Sequence, residues 1–244
     1  MEKYYREDLA YIHDIGYGDY ALQSAPGILK ILAQNNIQAG LVVDLGCGSG
    51  LLSLELTKAH YHVLGIDISE SMIAIAQTRV PDAQFRVESL FKADIPACNA
   101  VISIGECFNY LFDEDNSYQA LTQLFERIYL ALGAGGMFIF DIAEPGQVMP
   151  GQKTKTFTEG KDWIVLVEKQ EDRAQSGLTR RIITLRKVGE FYRRDNEIHC
   201  LRLYEAKNMA EKLRQVGFQA QILDYYGNYQ LPEAHAVLIA RKPT

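Results

Sequence analysis

The stretch "LVVDLGCGSGLLSLEL", residues 41–56, constrains the fold more than any other part of the chain. A short apolar run is joined to an amphipathic segment by glycines at 46, 48 and 50. The run reads as a buried strand, and the tail, whose apolar residues recur at helical spacing, as a helix. Glycine loses more conformational freedom on folding than any other residue, so three in five positions need a physical reason. A tight strand-to-helix turn, where backbone comes close to a ligand, supplies it; such turns lie at the carboxyl ends of strands in open α/β sheets. Backbone donors at the start of the next helix suit an anionic group.

The alternation continues downstream. "YHVLGID" is a second strand, and "SESMIAIAQTRV" a helix capped by Ser69. "AQFRVE" and "NAVISIG" follow as strands, then "SYQALTQLFERIYLALGAGG" as a long helix ended by glycines, and "MFIFDIA" as a fifth strand. Upstream, "APGILKILAQNN" reads as a helix begun near Pro26, and residues 1–25 as an aromatic-rich lid over one face. Strands alternating with helices predict a doubly wound α/β fold, with helices on both faces of the sheet. Between 151 and 204 the helical period disappears. "KTFTEGKDWIVLVEKQ", "LTRRIITLRKV" and "EIHCLRLY" form an antiparallel β insertion after strand five. A helix, "EAKNMAEKLRQVG", and the strands "FQAQILDYY" and "AHAVLIARK" then resume the alternation. Residues 1–150 and 205–244 thus make one domain, interrupted by the insertion at 151–204.

A chain of 244 residues, 48% hydrophobic and 23% charged, fits a soluble globular protein. Its net charge of -6 argues against a general nucleic-acid binder. No apolar stretch is long enough to span a membrane, and the amino terminus carries no secretory signal, which points to the cytosol. Cys47, Cys98, Cys107 and Cys200 form no C-x-x-C pair, so reduced thiols are expected, with neither disulfides nor a metal site. Residues 151–204 hold twelve Lys/Arg against eight Asp/Glu, while the remainder holds 13 against 23. Solvated strand faces account for this; alternatively Arg180, Arg181, Arg193 or Arg194 meets an anionic substrate or an acidic partner subunit.

The glycine spacing is G-x-G-x-G, with Asp44 two positions ahead, whereas a nicotinamide fingerprint reads G-x-G-x-x-G; here Leu51 stands at the last position. An acid beside the turn would repel a pyrophosphate but suit an ammonium or sulfonium group. "VVDLGCGSG", followed by "VLGIDIS" with Asp67 closing the second strand, resembles the class I S-adenosylmethionine-dependent methyltransferases. The resemblance covers residues 26–145 and, in outline, 205–241. It implies a seven-stranded, mostly parallel sheet with the last strand antiparallel, S-adenosylmethionine as cofactor, and S-adenosylhomocysteine as product. By the same resemblance Asp67 accepts from both ribose hydroxyls. Gly46, Cys47, Gly48 and Gly50 line the amino-acid part, and Asp44 lies near its charged end. Ile68 and Met72 flank the adenine, while Ser89, with Glu88 just before it, stands where the family often places an acid for the adenine amino group, and Leu90 also lines the cofactor. Gly105 and Glu106 approach the cofactor.

"SIGECFNYLF", residues 103–112, resembles the corresponding stretch of small-molecule N-methyltransferases such as the glycine methyltransferases. That likeness implies that Glu106, Asn109 and Tyr110 serve the acceptor, with Tyr17 from the lid. A Tyr110 packed under the insertion and an Asn109 capping a turn remain the alternative. Neither the N/D-P-P-Y motif of nucleobase methylases nor a Pro-Cys nucleophile occurs here, and Cys107 reads as a small buried residue. His13 and His199 are the two histidines to weigh as bases, and a core role is the preferred reading of both; His60, His62 and His235 flank or begin strands. The expected activity is transfer of a methyl group to nitrogen or oxygen of a small molecule. Its rivals are a methyltransferase acting on protein or tRNA and a non-catalytic cofactor-binding subunit. The insertion would cover the acceptor pocket or form the interface of a homodimer.

Overall fold

A computed structural model describes residues 4–244. It opens with two helices, α1 (Glu7–Tyr17) and α2 (Asp19–Gln34). Alternation follows through β1 (Leu41–Leu45), α3 (Leu51–Lys58), β2 (His62–Asp67), α4 (Glu70–Arg79), β3 (Gln84–Val87) and β4 (Cys98–Ser103). A 3-10 turn at Cys107–Asn109 leads to α5 (Tyr118–Ala131) and the long strand β5 (Leu132–Ala143). The insertion is four strands: β6 (Thr154–Glu159), β7 (Trp163–Asp172), β8 (Gly177–Val188) and β9 (Phe191–Arg202). The chain ends with α6 (Ala206–Val216), β10 (Gln219–Leu223), the short pair β11 (Tyr225–Tyr226) and β12 (Tyr229–Gln230), and β13 (His235–Arg241).

Seven strands form one sheet in the order β10-β13-β5-β4-β1-β2-β3, and the insertion forms a separate sheet in the order β6-β7-β8-β9. In the large sheet β13 runs antiparallel to both neighbours, while β1 to β5 pair in parallel. Strand alternation splits the core in two. Val43, Leu45, Val101, Phe138 and Phe140 pack on one face with Leu124, Phe125 and Ile128 of α5 and Leu213 of α6. Val42, Ala100, Ile102 and Ile139 face the other way, against Ile28 and Leu32 of α2 and Leu52 and Leu56 of α3. Burial on both faces is why these strands are continuous apolar runs rather than alternating ones.

Three sequence-based boundaries move. The second helix starts at Asp19 rather than near Pro26, which lies inside it. The tertiary structure holds the extra turns: Tyr20 donates to Asp141 at 2.8 Å, and Ser24 back-bonds to the Tyr20 carbonyl. Glycines 133, 135 and 136 belong to β5 instead of capping α5, because Lys242 and Gly136 extend that strand's pairing. The expected lid over 1–25 becomes a helix and half of a second, and its residues 1–3 lie outside the described residues.

The α1 helix lies between the insertion and the core. Leu9 and Ile12 pack against Trp163, Val165 and Ile182. Asp8 accepts from Arg193 at 2.7 Å, and Glu197 accepts from the Tyr5 and Arg6 amides at 2.8 and 3.0 Å. Among the described residues no helix is long and apolar enough to cross a membrane.

Candidate active site

The first turn is built by its glycines. Gly46 and Cys47 donate their amides to the Ile66 carbonyl at 2.7 and 3.1 Å, which ties the turn to β2. Gly46 sits at φ +73°, and a Cβ there would collide with the Cys107 sulfur. Gly48 differs: at φ +52° it needs glycine's backbone freedom, yet a Cβ would meet nothing within 4 Å. Gly105, at φ +87°, likewise borders open space. Two bare backbone segments therefore face one cavity from the ends of β1 and β4.

Asp67 closes β2 and is held from both sides. One carboxylate oxygen accepts from Gly48 N and the other from Ser69 N, each at 2.9 Å. The Ser69 hydroxyl caps α4 through Met72 N. Gly46, Gly48, Asp67, Ile68, Met72 and Leu90 form one wall of the cavity, with Glu88 and Asp113 at its edge. Ile104, Gly105 and Cys107 form its floor; Tyr5, His13, Tyr110 and Phe112 close it. The free space is about 110 Å³, below the roughly 300–1,000 Å³ of small-molecule sites. Tyr5 borders it: its carbonyl accepts from Ser69 Oγ and its hydroxyl lies 3.0 Å from that of Tyr110.

Several expected site residues stand behind the cavity rather than on it. Asp44 is fully buried beneath the turn and accepts from Ser53 Oγ at 2.7 Å. Burial, aided by nearby Asp67, pushes its carboxyl up to about 7 against the opposing bond from Ser53. Cys47 turns into the core below Gly65, and Gly50 packs on Ala76 at the start of α3. Ser89 donates to Asp113 at 2.7 Å and is not part of the cavity lining; besides Asp67, the acids facing the cavity are Glu88 and Asp113. Asn109 does not face an acceptor. Its amide donates to the Ala143 and Arg202 carbonyls and accepts from Ala143 N, tying the 3-10 turn to β5 and β9. Tyr17, at the exposed end of α1, stacks on His13 from outside the cavity.

Glu106 also lies off the lining, as the centre of a buried network. Arg180 from β8 donates to one oxygen at 2.6 Å, and His235 from β13 lies 2.8 Å from the other. Against the upward push of burial, Arg180 and His235 hold this carboxyl at about 2. Arg180 also donates to the Tyr110 hydroxyl at 3.2 Å, so Tyr110 joins the cavity to the insertion. Arg180 and Arg193, considered for external anions, thus meet acids of their own chain.

Asp141 was not evident as a site residue. Buried at the end of β5, it accepts from the amides of Gly105 and Glu106 and the hydroxyls of Tyr20 and Tyr226. It thereby fixes the turn in which Glu106 takes φ +64°. Its signal in sequence was an acid closing the apolar run "MFIF". His13, read as a core histidine, reaches the cavity wall; burial lowers its imidazole to about 4, so it is neutral near pH 7. Burial raises the Cys107 thiol well above its ordinary value, which leaves it protonated. His199 is buried 2.8 Å from Glu197 and takes no part in the cavity wall.

The residues fit the cofactor that the glycine turn implies: a fixed carboxylate at the end of β2, open space beside Gly48 and Gly105, and an apolar slot at Ile68, Met72 and Leu90. A family model described as a methyltransferase domain matches residues 42–136. A methyltransferase of Geobacillus sp. (strain WCH70) is 26% identical over 72% of this chain and 73% of its own. A solved S-adenosylmethionine-dependent methyltransferase from Clostridium acetobutylicum covers 96% of this chain and 98% of its own, at TM-score 0.80 and 20% identity. The sugar N-methyltransferase KedS8 from Streptoalloteichus covers 96% and 92%, at TM-score 0.78 and 16% identity. The methyltransferase-domain match over residues 42–136, with these likenesses in sequence and fold, supports a class I S-adenosylmethionine-dependent methyltransferase that takes S-adenosylmethionine as its cofactor.

Proposed function

We propose that the protein transfers the methyl group to a nitrogen or oxygen of a small-molecule acceptor in the cytosol. The observation that carries this reading is the enclosure of the cavity under α1 and the insertion. Its far end is walled by Tyr5, Tyr110 and Phe112, with Arg180 behind Tyr110. The likeness to a sugar N-methyltransferase fold supports the same class of acceptor. Four free cysteines support a reducing compartment.

Bound S-adenosylmethionine supplies an electrophilic methyl on a sulfonium, so positioning of the acceptor can supply much of the acceleration. Asp67 would hold the ribose hydroxyls, while Ile68, Met72 and Leu90 cover the adenine and Glu88 or Asp113 accepts from its amino group. The backbone at Gly48 and Gly105 borders the amino-acid part. The Tyr5 and Tyr110 hydroxyls would orient the acceptor, and His13, kept neutral on the cavity wall by burial, would accept a hydrogen bond from it rather than carry its proton. The segment around Tyr5 withdraws to admit the cofactor and returns over it.

Calorimetric titration with S-adenosylmethionine, S-adenosylhomocysteine and NAD tests the cofactor site. The first two should bind, NAD should not, and Asp67→Ala should weaken binding about 10- to 100-fold by losing charge-assisted hydrogen bonds. Transfer of labelled methyl to pooled small amines and hydroxyl compounds then tests the acceptor class. Label entering tRNA or protein instead would overturn it, and tight cofactor binding with no label transferred to any pool would favour a non-catalytic subunit.

A further inference from the structure

Lys169 stands where a charged side chain is costly. On β7 it continues the inward-facing row of Trp163, Val165 and Val167, which packs against α1. It is half-buried there, and among the described residues no hydrogen bond or ion pair engages its ammonium. Glu171, two positions on along the same face, accepts instead from the Gly146 and Val148 amides and lies 3.6 Å from Arg173. Burial, and then Arg180 beside it, lower the Lys169 pKa from the ordinary lysine value, against an upward pull from Glu106. An ammonium drawn out of water without a counter-ion costs stability, so its place needs a reason.

The pairing register sets a second cation directly opposite, since Lys169 pairs with Arg180 of β8. Like charges facing each other across a ladder repel. Arg180 is engaged at both terminal nitrogens, by Glu106 at 2.6 Å and the Tyr110 hydroxyl at 3.2 Å, but its Nε is buried and has no acceptor. Glu106 is shared with His235, whose ring nitrogens lie 2.8 Å from that carboxylate and 2.8 Å from the Glu233 carbonyl. Neither oxygen can donate, so both ring nitrogens carry a proton and His235 is a cation. Asp141, the other acid here, is taken up by the Gly105 and Glu106 amides and two tyrosine hydroxyls. Lys169, Arg180 and His235 thus set three positive charges against the two of Glu106 and Asp141. An anion between Lys169 and Arg180 supplies the missing charge and takes up the free ammonium and the free Nε–H together. It would lie one side chain from the cavity, because Tyr110 lines that cavity and is bonded to Arg180.

We infer that Lys169 and Arg180 hold an anionic group of the methyl acceptor, a carboxylate or a phosphate, an assignment that rests on the small-molecule acceptor proposed above and narrows that class to acids. The nitrogen or oxygen to be methylated would then reach past Tyr110 toward the cofactor.

Calorimetric titration of the S-adenosylhomocysteine complex with inorganic phosphate and with acetate tests the site apart from turnover. At least one of them should bind with a millimolar Kd, and the tighter identifies the group. Lys169→Met should weaken that binding about 10- to 100-fold by losing a charge-assisted hydrogen bond. Lys169→Arg, which keeps the charge, should stay within about tenfold of the wild type. Binding of S-adenosylhomocysteine, at the ends of β1 and β2, checks that each variant is folded. No binding of either anion, or equal binding by Lys169→Met, would overturn the assignment. The acceptor itself is read by passing the labelled methyl products over an anion-exchange resin. Label in the retained fraction, lost in Lys169→Met, supports it. Label only in unretained small molecules overturns it and leaves the proposed function standing, whereas label in no small molecule overturns both.

Discussion

Gly46 and Gly48 differ by two positions and by what surrounds them. At both, positive φ makes any side chain cost about 1–2 kcal/mol. At Gly46 a Cβ would also strike the Cys107 sulfur, whereas at Gly48 it would project into open space. Gly46→Ala should therefore lower the melting temperature markedly. Gly48→Ala should cost no more than that backbone strain, yet lose most cofactor affinity, as calorimetry would show. Asp44 permits a prediction of the opposite kind. Its carboxyl is raised from 3.8 to about 7 by burial, so in the wild type it takes up a proton on folding over that interval. Stability from this group is thus highest below about pH 4, falls as the pH rises to about 7 and is level beyond. Asp44→Asn has no such fall, so its melting temperature should gain on the wild type between pH 4 and 7, a difference that scanning calorimetry across the range would read.

The informative element is α2, because its placement depends on a close approach. A Cβ on Gly27 would overlap the backbone of Tyr226 and Gly227, so helix and β11 are in contact through glycine. Gly27→Ala raises helix propensity in isolation. Here it should destabilise by about 1–3 kcal/mol, the usual cost of overpacking, in a urea titration. The damage would spread to the cavity floor, since Tyr20 of α2 and Tyr226 of β11 both donate to Asp141, which holds the Gly105–Glu106 turn.

On the scale of the whole molecule, the Glu106–Arg180–His235 network joins three separated segments: the end of β4, the insertion and the last strand. Arg180→Met should cost about 3–5 kcal/mol, because it strands a buried carboxylate with one partner. Glu106 titrates at about 2 when folded, against an ordinary 4.5, so its contribution is complete above pH 4.5 and fades as the pH drops to about 2. The stability gap between wild type and Glu106→Gln should accordingly close over that interval, as measured by urea unfolding at successive pH values. A gap that stayed constant would show that the pair does not carry the acid sensitivity.

Local pattern and tertiary contact divided the information unequally. The strand–glycine–helix turn, the alternation from Leu41 to Ala143 and the β-rich insertion are set by short-range periodicity and glycine chemistry, and these were legible at once. So was Asp67, whose position at the end of a strand follows from the same pattern. Ser89 and Asn109 were not legible, because which way a polar side chain turns depends on partners far away, Asp113 and Ala143; Tyr17 lies off the cavity because the end of α1 turns it toward solvent. The links from Arg180 and His235 to Glu106 span 74 and 129 residues, beyond any periodicity. His13 became a cavity residue through the docking of α1, not through its neighbours in the chain. The sequence by itself determined the sheet, its crevice and the place of Asp67 at the end of β2, since those rest on backbone geometry. The far end of the cavity, at Tyr5, Tyr110 and Arg180, was decided by the tertiary structure, because it is assembled from side chains that meet only when the insertion folds back over the core.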